Sequence, residues 1–109
     1  MTARTDLLQG SLDLLVLKCL SGEPLHGWLI AKRLKEISQQ VLDINQGSLY
    51  PALYRLEDRG WLEAEWGSSP EGRRVKVYRL TAKGRRQLEV ERGQWRRFCA
   101  AVDLVLSSD

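Results

Sequence analysis

The spacing of apolar residues in this chain predicts a mainly α-helical domain with a small β-hairpin. Three segments with helical spacing come first, at about 7–20, 25–39 and 46–59. Two alternating, strand-like segments, WLEAEW and VKVYRL, then flank the turn-rich stretch GSSPEGRR, and a long helical segment follows. Three helices followed by a two-stranded wing make up the winged helix-turn-helix arrangement. We therefore divide the chain into a winged helix-turn-helix domain, residues 1–82, and a C-terminal helix, residues 83–109.

Length and charge place the chain among small, mildly basic proteins of one domain. Its 109 residues include 17 Lys or Arg and 14 Asp or Glu, a net charge of +3, so the distribution of charge matters more than its sum. The N-terminal residues lack the apolar segment of a signal peptide, and no apolar run approaches the roughly 20 residues that span a bilayer. We therefore expect a cytoplasmic protein. In a reducing cytoplasm, Cys19 and Cys99 are expected to be buried thiols, with a disulfide or redox switch as the alternative.

The first predicted helix is apolar around most of its circumference. One stripe along it contains Leu8, Leu12, Leu15 and Cys19, and further leucines lie elsewhere around it at Leu7, Leu14 and Leu17. Such a helix needs burial on more than one side, and a domain this small offers little interior. The second side is therefore expected to face another subunit. In the second helix, the predicted core face consists of Leu29, Ile30, Leu34 and Ile37, and Lys32 points elsewhere.

The third predicted helix separates an apolar face from a polar one. Its inner face contains Leu49, Ala52, Leu53 and Leu56, and its outer face contains Ser48, Pro51, Tyr54, Arg55 and Asp58, with Tyr50 on the flank. No acidic residue lies between Asn45 and Leu56, and carboxylates come only at the C-terminal end of the helix. A recognition helix enters the DNA major groove with its N-terminus first, so a front end without carboxylates suits a polyanion. The helix dipole adds partial positive charge at the same end.

Pro51 sits inside this helical pattern, where proline normally breaks a helix. If Ser48 caps the helix, Pro51 falls in the first three helical positions and no hydrogen bond is lost. If Asn45 is the cap, Pro51 distorts the second turn. The sequence leaves both possibilities open, and in both the proline faces outward. Gly60 is expected to end the helix, since glycine commonly follows a helix C-terminus.

The predicted wing is strongly basic. Between Gly72 and Leu88 there is no acidic residue, and the seven Lys or Arg are Arg73, Arg74, Lys76, Arg79, Lys83, Arg85 and Arg86. Guanidinium groups at the tip of a hairpin can contact DNA phosphates or enter a minor groove. A solvated loop without a partner is the alternative, and the one-sided run of charge favours the DNA contact.

The last predicted helix begins after Thr81, a good N-cap, and carries a long apolar stripe. The stripe contains Leu88, Trp95, Phe98, Cys99, Val102, Val105 and Leu106. No further segment of the chain is left to cover it, which indicates that residues 83–109 form a dimerisation helix. Trp95 and Phe98 either pack plainly in that dimer or form an aromatic wall against which a planar ligand stacks.

The remaining aromatic and titratable residues indicate structure rather than catalysis. Trp61 and Trp66 are expected to pack the hairpin, and Trp28 is expected in the core. The lone histidine, His26, sits beside a glycine near a helix start, where a structural role is the usual one. The sequence contains no Ser-His-Asp set that can be assembled, no Cys/His metal spacing and no phosphate-binding glycine loop. We therefore expect neither an enzyme nor a bound metal or cofactor.

Three motifs, in order along the chain, resemble the PadR family of bacterial transcriptional regulators. They read HGWLIAKRL, GSLYPALYRLEDRG and YRLTAKG, and the likeness extends from residue 7 to about residue 88. The single helix after them resembles the short branch of that family. The resemblance implies a winged-helix dimer that binds an inverted-repeat operator, usually as a repressor, and that a small, often aromatic effector releases. It also implies targets in the regulator's own gene or in a neighbouring permease or exporter operon.

The residues and the resemblance together assign two surfaces. The predicted DNA contacts are Gln46, Ser48, Tyr50, Tyr54, Arg55, Lys32, Arg73, Arg74 and Lys76. The predicted dimer or effector interface contains Leu8, Leu12, Leu15, Trp95, Phe98, Cys99 and Val102. The sequence therefore predicts a homodimeric, DNA-binding transcriptional regulator. A winged helix that binds another protein instead of DNA is the alternative, although such modules lose the basic recognition surface.

Overall fold

The fold is a winged helix with a long last helix, as the sequence predicts. A computed structural model describes residues 11–109. Along them lie α1 (Leu12–Cys19), β1 (Leu25–His26), α2 (Gly27–Ile37), α3 (Gln46–Asp58), β2 (Leu62–Ser68), β3 (Arg74–Leu80) and α4 (Ala82–Leu106). The three strands form one antiparallel sheet in the order β1-β3-β2. Leu7 and Leu8, which the sequence places in the first helix, lie outside the described residues. Along the described part of the chain, no helix combines the length and the apolar character needed to cross a membrane.

The core lies where α1, α2 and α3 meet the sheet and the first turns of α4. Its most deeply buried members include Leu12, Val16, Leu17, Ile30, Leu34, Leu49, Leu53, Leu56, Leu62, Tyr78, Leu80 and Leu88. The chain itself buries α1 on two sides, because it covers both Leu12, which belongs to the predicted stripe, and Leu17, which does not. Leu14 and Leu15 are only partly buried, so part of the α1 surface stays accessible.

The sheet contains one strand more than the predicted hairpin. Leu25 and His26 pair with Tyr78 and Val77 of β3, so the second helix begins at Gly27 and not at Leu25. A two-residue strand is too short to show any periodicity, and only its pairing with the free edge of β3 defines it. Local sequence therefore could not predict it.

The second helix also ends differently from the prediction. Ile37 was expected in the core, but it is 69% exposed. It is the last residue of α2 and lies beyond Leu34, the last buried residue of that helix. The apolar spacing of the sequence extends to Ile37, but the core packed against α2 extends only to Leu34.

The turn after α3 holds the end of that helix against the start of α4. Gly60 adopts the left-handed conformation (φ 79°) that favours glycine, and it ends the helix as predicted. The N–H of Trp61 donates to the Leu56 carbonyl at 3.1 Å and the N–H of Gly60 to the Glu57 carbonyl at 2.9 Å, which is the Schellman motif. The Thr81 hydroxyl donates to the Gly60 carbonyl at 2.8 Å. The start of α4 is thereby fixed against the end of α3.

Only the start of α4 belongs to the core. Thr81 caps the helix, as predicted, by accepting a hydrogen bond of 2.9 Å from the N–H of Gly84. Gly84 and Leu88 are its buried residues. Farther along, Trp95 is 43% and Phe98 60% exposed, with their ring centroids 5.9 Å apart. Beyond Leu88, residues 11–109 therefore leave the predicted apolar stripe largely exposed, and the role of residues 83–109 in dimerisation stays a prediction.

Candidate nucleic-acid interface

The N-terminus of α3 is capped by Asn45. Its side-chain oxygen accepts a hydrogen bond of 2.9 Å from the N–H of Ser48, so the possibility that Ser48 is the cap is wrong. Pro51 is therefore the sixth residue of α3 and cannot donate the helical hydrogen bond to the carbonyl of Gly47. Its ring lies exposed on the outer face of the helix, as predicted.

A cleft of about 610 Å³ lies between the start of α2, the N-terminal half of α3 and the β2–β3 wing. The residues that line it are His26, Gly27, Trp28, Gln46, Tyr50, Tyr54, Trp66, Ser69, Glu71, Arg73, Arg74, Val75, Lys76 and Tyr78. Six of the nine predicted DNA contacts are among them: Gln46, Tyr50, Tyr54, Arg73, Arg74 and Lys76. The fold thus brings the predicted recognition helix and the predicted basic wing to one continuous surface.

Tyr50 is held in this cleft by close packing against the start of α2. A Cβ added at Gly27 would lie 2.7 Å from the Tyr50 hydroxyl oxygen, well inside van der Waals contact. A side chain at Gly27 would therefore displace the Tyr50 ring from its present position beside α2.

Lys76 connects the wing to α3 inside the cleft. Its ammonium lies 3.1 Å from the Glu57 carboxylate, and both side chains are about one third exposed. The same ammonium lies 5.6 Å from the ring centroid of Tyr54 and 5.5 Å from that of Tyr78. Burial raises the pKa of the Tyr78 phenol to about 12, with the neighbouring acidic groups, Tyr54 first, adding to the shift. The phenol is thus neutral under all ordinary conditions.

The tip of the wing is a five-residue turn held by Ser69. The Ser69 hydroxyl accepts from the N–H of Arg73 at 3.1 Å, and the Ser69 carbonyl accepts from the N–H of Gly72 at 2.9 Å. Hydrogen bonds from its own backbone and from Ser69 lower the pKa of Glu71, so this carboxylate stays ionised beside Arg73. The Arg74 guanidinium lies 4.5 Å over the ring of Trp66. The tip therefore offers two arginines with one acidic neighbour.

Three predicted DNA contacts lie outside the lining of the cleft. Arg55 forms an ion pair with Asp13 of α1, and Lys32 lies over the Trp28 ring at 5.2 Å. The N–H of Ser48 is used in the cap of α3. Arg55 is thus already paired with a carboxylate, and the Lys32 ammonium also lies 3.9 Å from a carboxylate oxygen of Glu36.

Two tryptophans lie in the cleft although the sequence placed them elsewhere. Trp28, expected in the core, is 53% exposed and stacks on His26 with a centroid distance of 6.3 Å. Trp66, expected to pack the hairpin, is 60% exposed, with the Arg74 guanidinium 4.5 Å from its ring centroid. Trp61, also expected to pack the hairpin, is partly buried against the core. The sequence does not show whether a neighbouring element will cover an apolar side chain.

The predicted interface residues have different surroundings. Leu12 is buried in the chain's own core and Leu15 is partly buried, whereas Leu8 lies outside the described residues. Cys99 is partly exposed on α4, and Cys19 is buried. Desolvation raises the pKa of the Cys19 thiol, which makes it less reactive. Within residues 11–109 both thiols are free, and no group of three or more potential metal-binding side chains occurs.

A basic wing beside a recognition helix is typical of winged-helix regulators that bind DNA. The profile of the Transcriptional regulator PadR-like family matches residues 16–90, and the chain belongs to this family. It is therefore a transcriptional regulator rather than an enzyme.

Solved and curated relatives agree with this assignment. A PadR family transcriptional regulator from Eggerthella lenta is 33% identical, with a TM-score of 0.82 over 96% of this chain and 89% of that one. A PadR-like transcriptional regulator from Bacillus cereus is 27% identical, with a TM-score of 0.78 over 95% and 99% of the two chains. The transcriptional regulator Rv3488 of Mycobacterium tuberculosis is 40% identical over 68 residues, which cover 62% of this chain and 59% of that protein.

Proposed function

We propose that the chain is a cytoplasmic, homodimeric repressor that binds an inverted-repeat operator in its own promoter or that of an adjacent transporter operon. The observation that carries the proposal is the shared surface of α3 and the wing. On it, Gln46 and Tyr50 from the carboxylate-free half of α3 line the same cleft as Arg73 and Arg74 from the wing tip. A helix front and a basic hairpin tip that open to one side can contact a groove and the neighbouring backbone at once.

The two parts of this surface have different tasks in the proposal. Gln46, Tyr50 and Arg55 of α3 contact base edges in the major groove, and Ser48 and Tyr54 position the helix. The backbone phosphates are neutralised by Lys32, Arg73, Arg74 and Lys76. The Lys76 ammonium is already paired with the Glu57 carboxylate, so Arg73 and Arg74 supply the larger part of the phosphate neutralisation. Binding is therefore expected to weaken as salt rises.

The exposed stripe of α4 supports the dimer. Trp95, Phe98 and Val102 form a continuous apolar surface that residues 11–109 of one chain do not cover. A second copy that packs its own α4 and α1 on this stripe places two α3 helices about one helical turn of DNA, roughly 34 Å, apart. The symmetry of an inverted repeat then matches the symmetry of the protein.

The same stripe is the proposed place of action of a small aromatic effector. A planar molecule stacked between Trp95 and its dimer mate changes the angle between the two winged domains, and the helices no longer fit successive grooves. If Trp95→Ala forms dimers, binds DNA and still responds fully to such an effector, this role of Trp95 is wrong.

The test of DNA binding is fluorescence anisotropy with labelled DNA from upstream of the protein's own gene, against scrambled DNA, at two salt concentrations. We expect tighter binding to the upstream DNA, weakening with salt. The double variant Arg73→Glu/Arg74→Glu is expected to lose at least about tenfold in affinity and to reduce the salt slope by about 2, since each phosphate contact contributes about 0.9.

A matched control exists on α4. Arg96→Glu/Arg97→Glu makes the same change of charge at two exposed positions outside the cleft. It is expected to bind like the wild type, apart from a small effect of net charge. Equal losses in both double variants, or no binding by the wild type at low salt, contradict the proposal and favour a protein-binding winged helix.

A further inference from the structure

Aromatic side chains from five elements, β1, α2, α3, β2 and β3, line the cleft. They are His26, Trp28, Tyr50, Tyr54, Trp66 and Tyr78. DNA contact does not require so many rings, and Trp28, Trp66 and Tyr78 have no task in the proposed function. The volume of about 610 Å³ lies within the range of about 300–1,000 Å³ that is usual for small-molecule sites. The cleft is thus large enough for a small ligand.

The rings offer flat surfaces on two sides of this space. Trp28 belongs to the start of α2 and stacks on His26 with an interplanar angle of 13°. Trp66 belongs to the wing and is 60% exposed, with Arg74 lying over its ring. Tyr78 is 1% exposed and closes the space from the sheet. Planar ligands gain most from such surfaces, because offset stacking adds to the burial of apolar area.

The charges in the cleft favour an anion. Arg73, Arg74 and Lys76 line it together with a single carboxylate, that of Glu71. The Arg74 guanidinium carbon lies 4.5 Å from the centroid of the Trp66 ring, and a guanidinium can present paired N–H groups to a carboxylate. Lys76 already shares its charge with Glu57, so Arg74 is the principal partner of a ligand anion.

We propose that this cleft is a binding site for a planar aromatic carboxylate, separate from the exposed stripe of α4. The ring system lies between Trp28 and Trp66, and the carboxylate pairs with Arg74. Binding of the ligand does not depend on the proposed function. A consequence that does rest on it is competition, since a bound ligand occupies Arg74 and Tyr54, which are then lost to DNA.

The experiment is isothermal titration calorimetry of the full-length protein with 2-naphthoate near neutral pH, without DNA. We expect saturable binding that Trp28→Leu weakens by about three- to tenfold, the loss of one stacking partner. Ile37→Ala changes an exposed apolar residue of α2 outside the lining of the cleft and is expected to leave the affinity unchanged. Trp95→Leu removes the aromatic ring of the other candidate surface and distinguishes the two surfaces. Uncharged 2-naphthylmethanol is expected to bind about tenfold more weakly than 2-naphthoate, because the charge-assisted pair with Arg74 is missing.

Three results overturn the proposal. The first is that the wild type gives no saturable heat, and the second is that Trp28→Leu binds with unchanged affinity. The third is that only Trp95→Leu loses binding, because the ligand then binds at α4. Folding of each variant is checked by circular dichroism, and Trp66→Leu repeats the test from the other wall if Trp28→Leu does not fold. A second titration in the presence of operator DNA tests the competition. If the protein binds no DNA, the proposed function fails while the result of the first titration still stands.

Discussion

At the scale of single residues, three of the predicted DNA contacts are already paired with carboxylates of the same chain, and one of these pairs is Lys32 with Glu36 within α2. Arg55 of α3 contacts Asp13 of α1, and Lys76 of β3 contacts Glu57 of α3. Ion pairs between partly exposed side chains are worth at most about 1 kcal/mol, so a DNA phosphate can compete for each of these cations. The carboxylates are therefore expected to reduce the affinity for DNA without abolishing it.

Release of Arg55 from Asp13 is a measurable case. We expect Asp13→Asn to tighten operator binding by about two- to fivefold, the equivalent of one surface ion pair. The salt slope is expected to steepen by about 0.9, because one more cation is free to neutralise a phosphate. Anisotropy titrations at several salt concentrations measure both. Asp43→Asn, which breaks the Lys35–Asp43 pair outside the cleft, is the control with the same change of charge. Weaker binding by Asp13→Asn contradicts the prediction and shows that Asp13 positions α3.

The buried phenol of Tyr78 makes stability depend on pH in the alkaline range. Its pKa is about 12 in the folded chain against 10.0 ordinarily, so between these values the unfolded chain releases a proton that the folded chain keeps. The contribution of Tyr78 is therefore complete below pH 10.0 and is lost as the pH rises to about 12. The expected loss of unfolding free energy is on the order of 2 kcal/mol. Urea titrations of the wild type and Tyr78→Phe measure it, and an equal pH dependence of the two proteins rules it out.

At the scale of elements, the junction of α3, β2 and α4 sets the position of the wing relative to the recognition helix. Thr81 donates to the Gly60 carbonyl, and Lys83 donates to the Arg59 carbonyl at 3.0 Å. Gly84, in the first turn of α4, lies directly under the Trp61 carbonyl. The glycine of the YRLTAKG motif is thus explained by close approach of two backbones, since its place in a helix requires no unusual dihedral angle.

Replacement of glycine by alanine is expected to have opposite effects on stability at two positions of α4. A Cβ at Gly84 would lie 2.1 Å from the Trp61 carbonyl oxygen, a backbone atom that cannot move aside. Gly84→Ala is therefore expected to destabilise the chain by about 1–3 kcal/mol or more. A Cβ at Gly93 meets only the Arg97 side chain at 3.6 Å, so Gly93→Ala is expected to stabilise by up to about 1 kcal/mol. Urea denaturation measures both, and similar effects at the two positions contradict this account.

At the scale of the whole molecule, α4 makes the chain elongated. Its 25 residues span about 37 Å, and the longest dimension of the molecule is 57 Å against 32 and 21 Å. Beyond Leu88 the helix presents apolar side chains that the rest of residues 11–109 does not bury. Exposed apolar surface of this extent is typical of a protein interface.

The proposed dimer leads us to expect different oligomeric states for variants at two neighbouring positions on α4. Val102 lies in the apolar stripe with Trp95, whereas Leu104 lies nearly half a turn around the helix from it. We expect Val102→Glu to give monomers, because an unpaired carboxylate in an apolar interface is costly. Leu104→Glu is expected to remain dimeric. Size-exclusion chromatography with light scattering measures the mass of each. A dimeric Val102→Glu protein excludes the stripe as the interface.

Structural features that depend on the residues of a single helix, strand or turn could be predicted from the sequence alone. The three helices, the long last helix and the two strands of the wing follow from apolar spacing, and Thr81 and Gly60 mark two boundaries because capping and left-handed turns depend on local chemistry. The carboxylate-free front of α3 and the basic wing were also visible. Even the cap of α3 was limited to two residues, of which Asn45 is the right one.

Other features depend on contacts between residues far apart in the chain, and only the tertiary structure decided them. β1 exists because β3 offers a free edge, and the exposure of Trp28 and Trp66 depends on which elements lie beside them. The pair of Arg55 with Asp13 joins residues 42 positions apart. Periodicity shows which side of a helix is apolar but not what will cover it. The sequence therefore determined the elements and their chemistry, while packing determined that six predicted DNA contacts and a set of aromatic rings share one cleft.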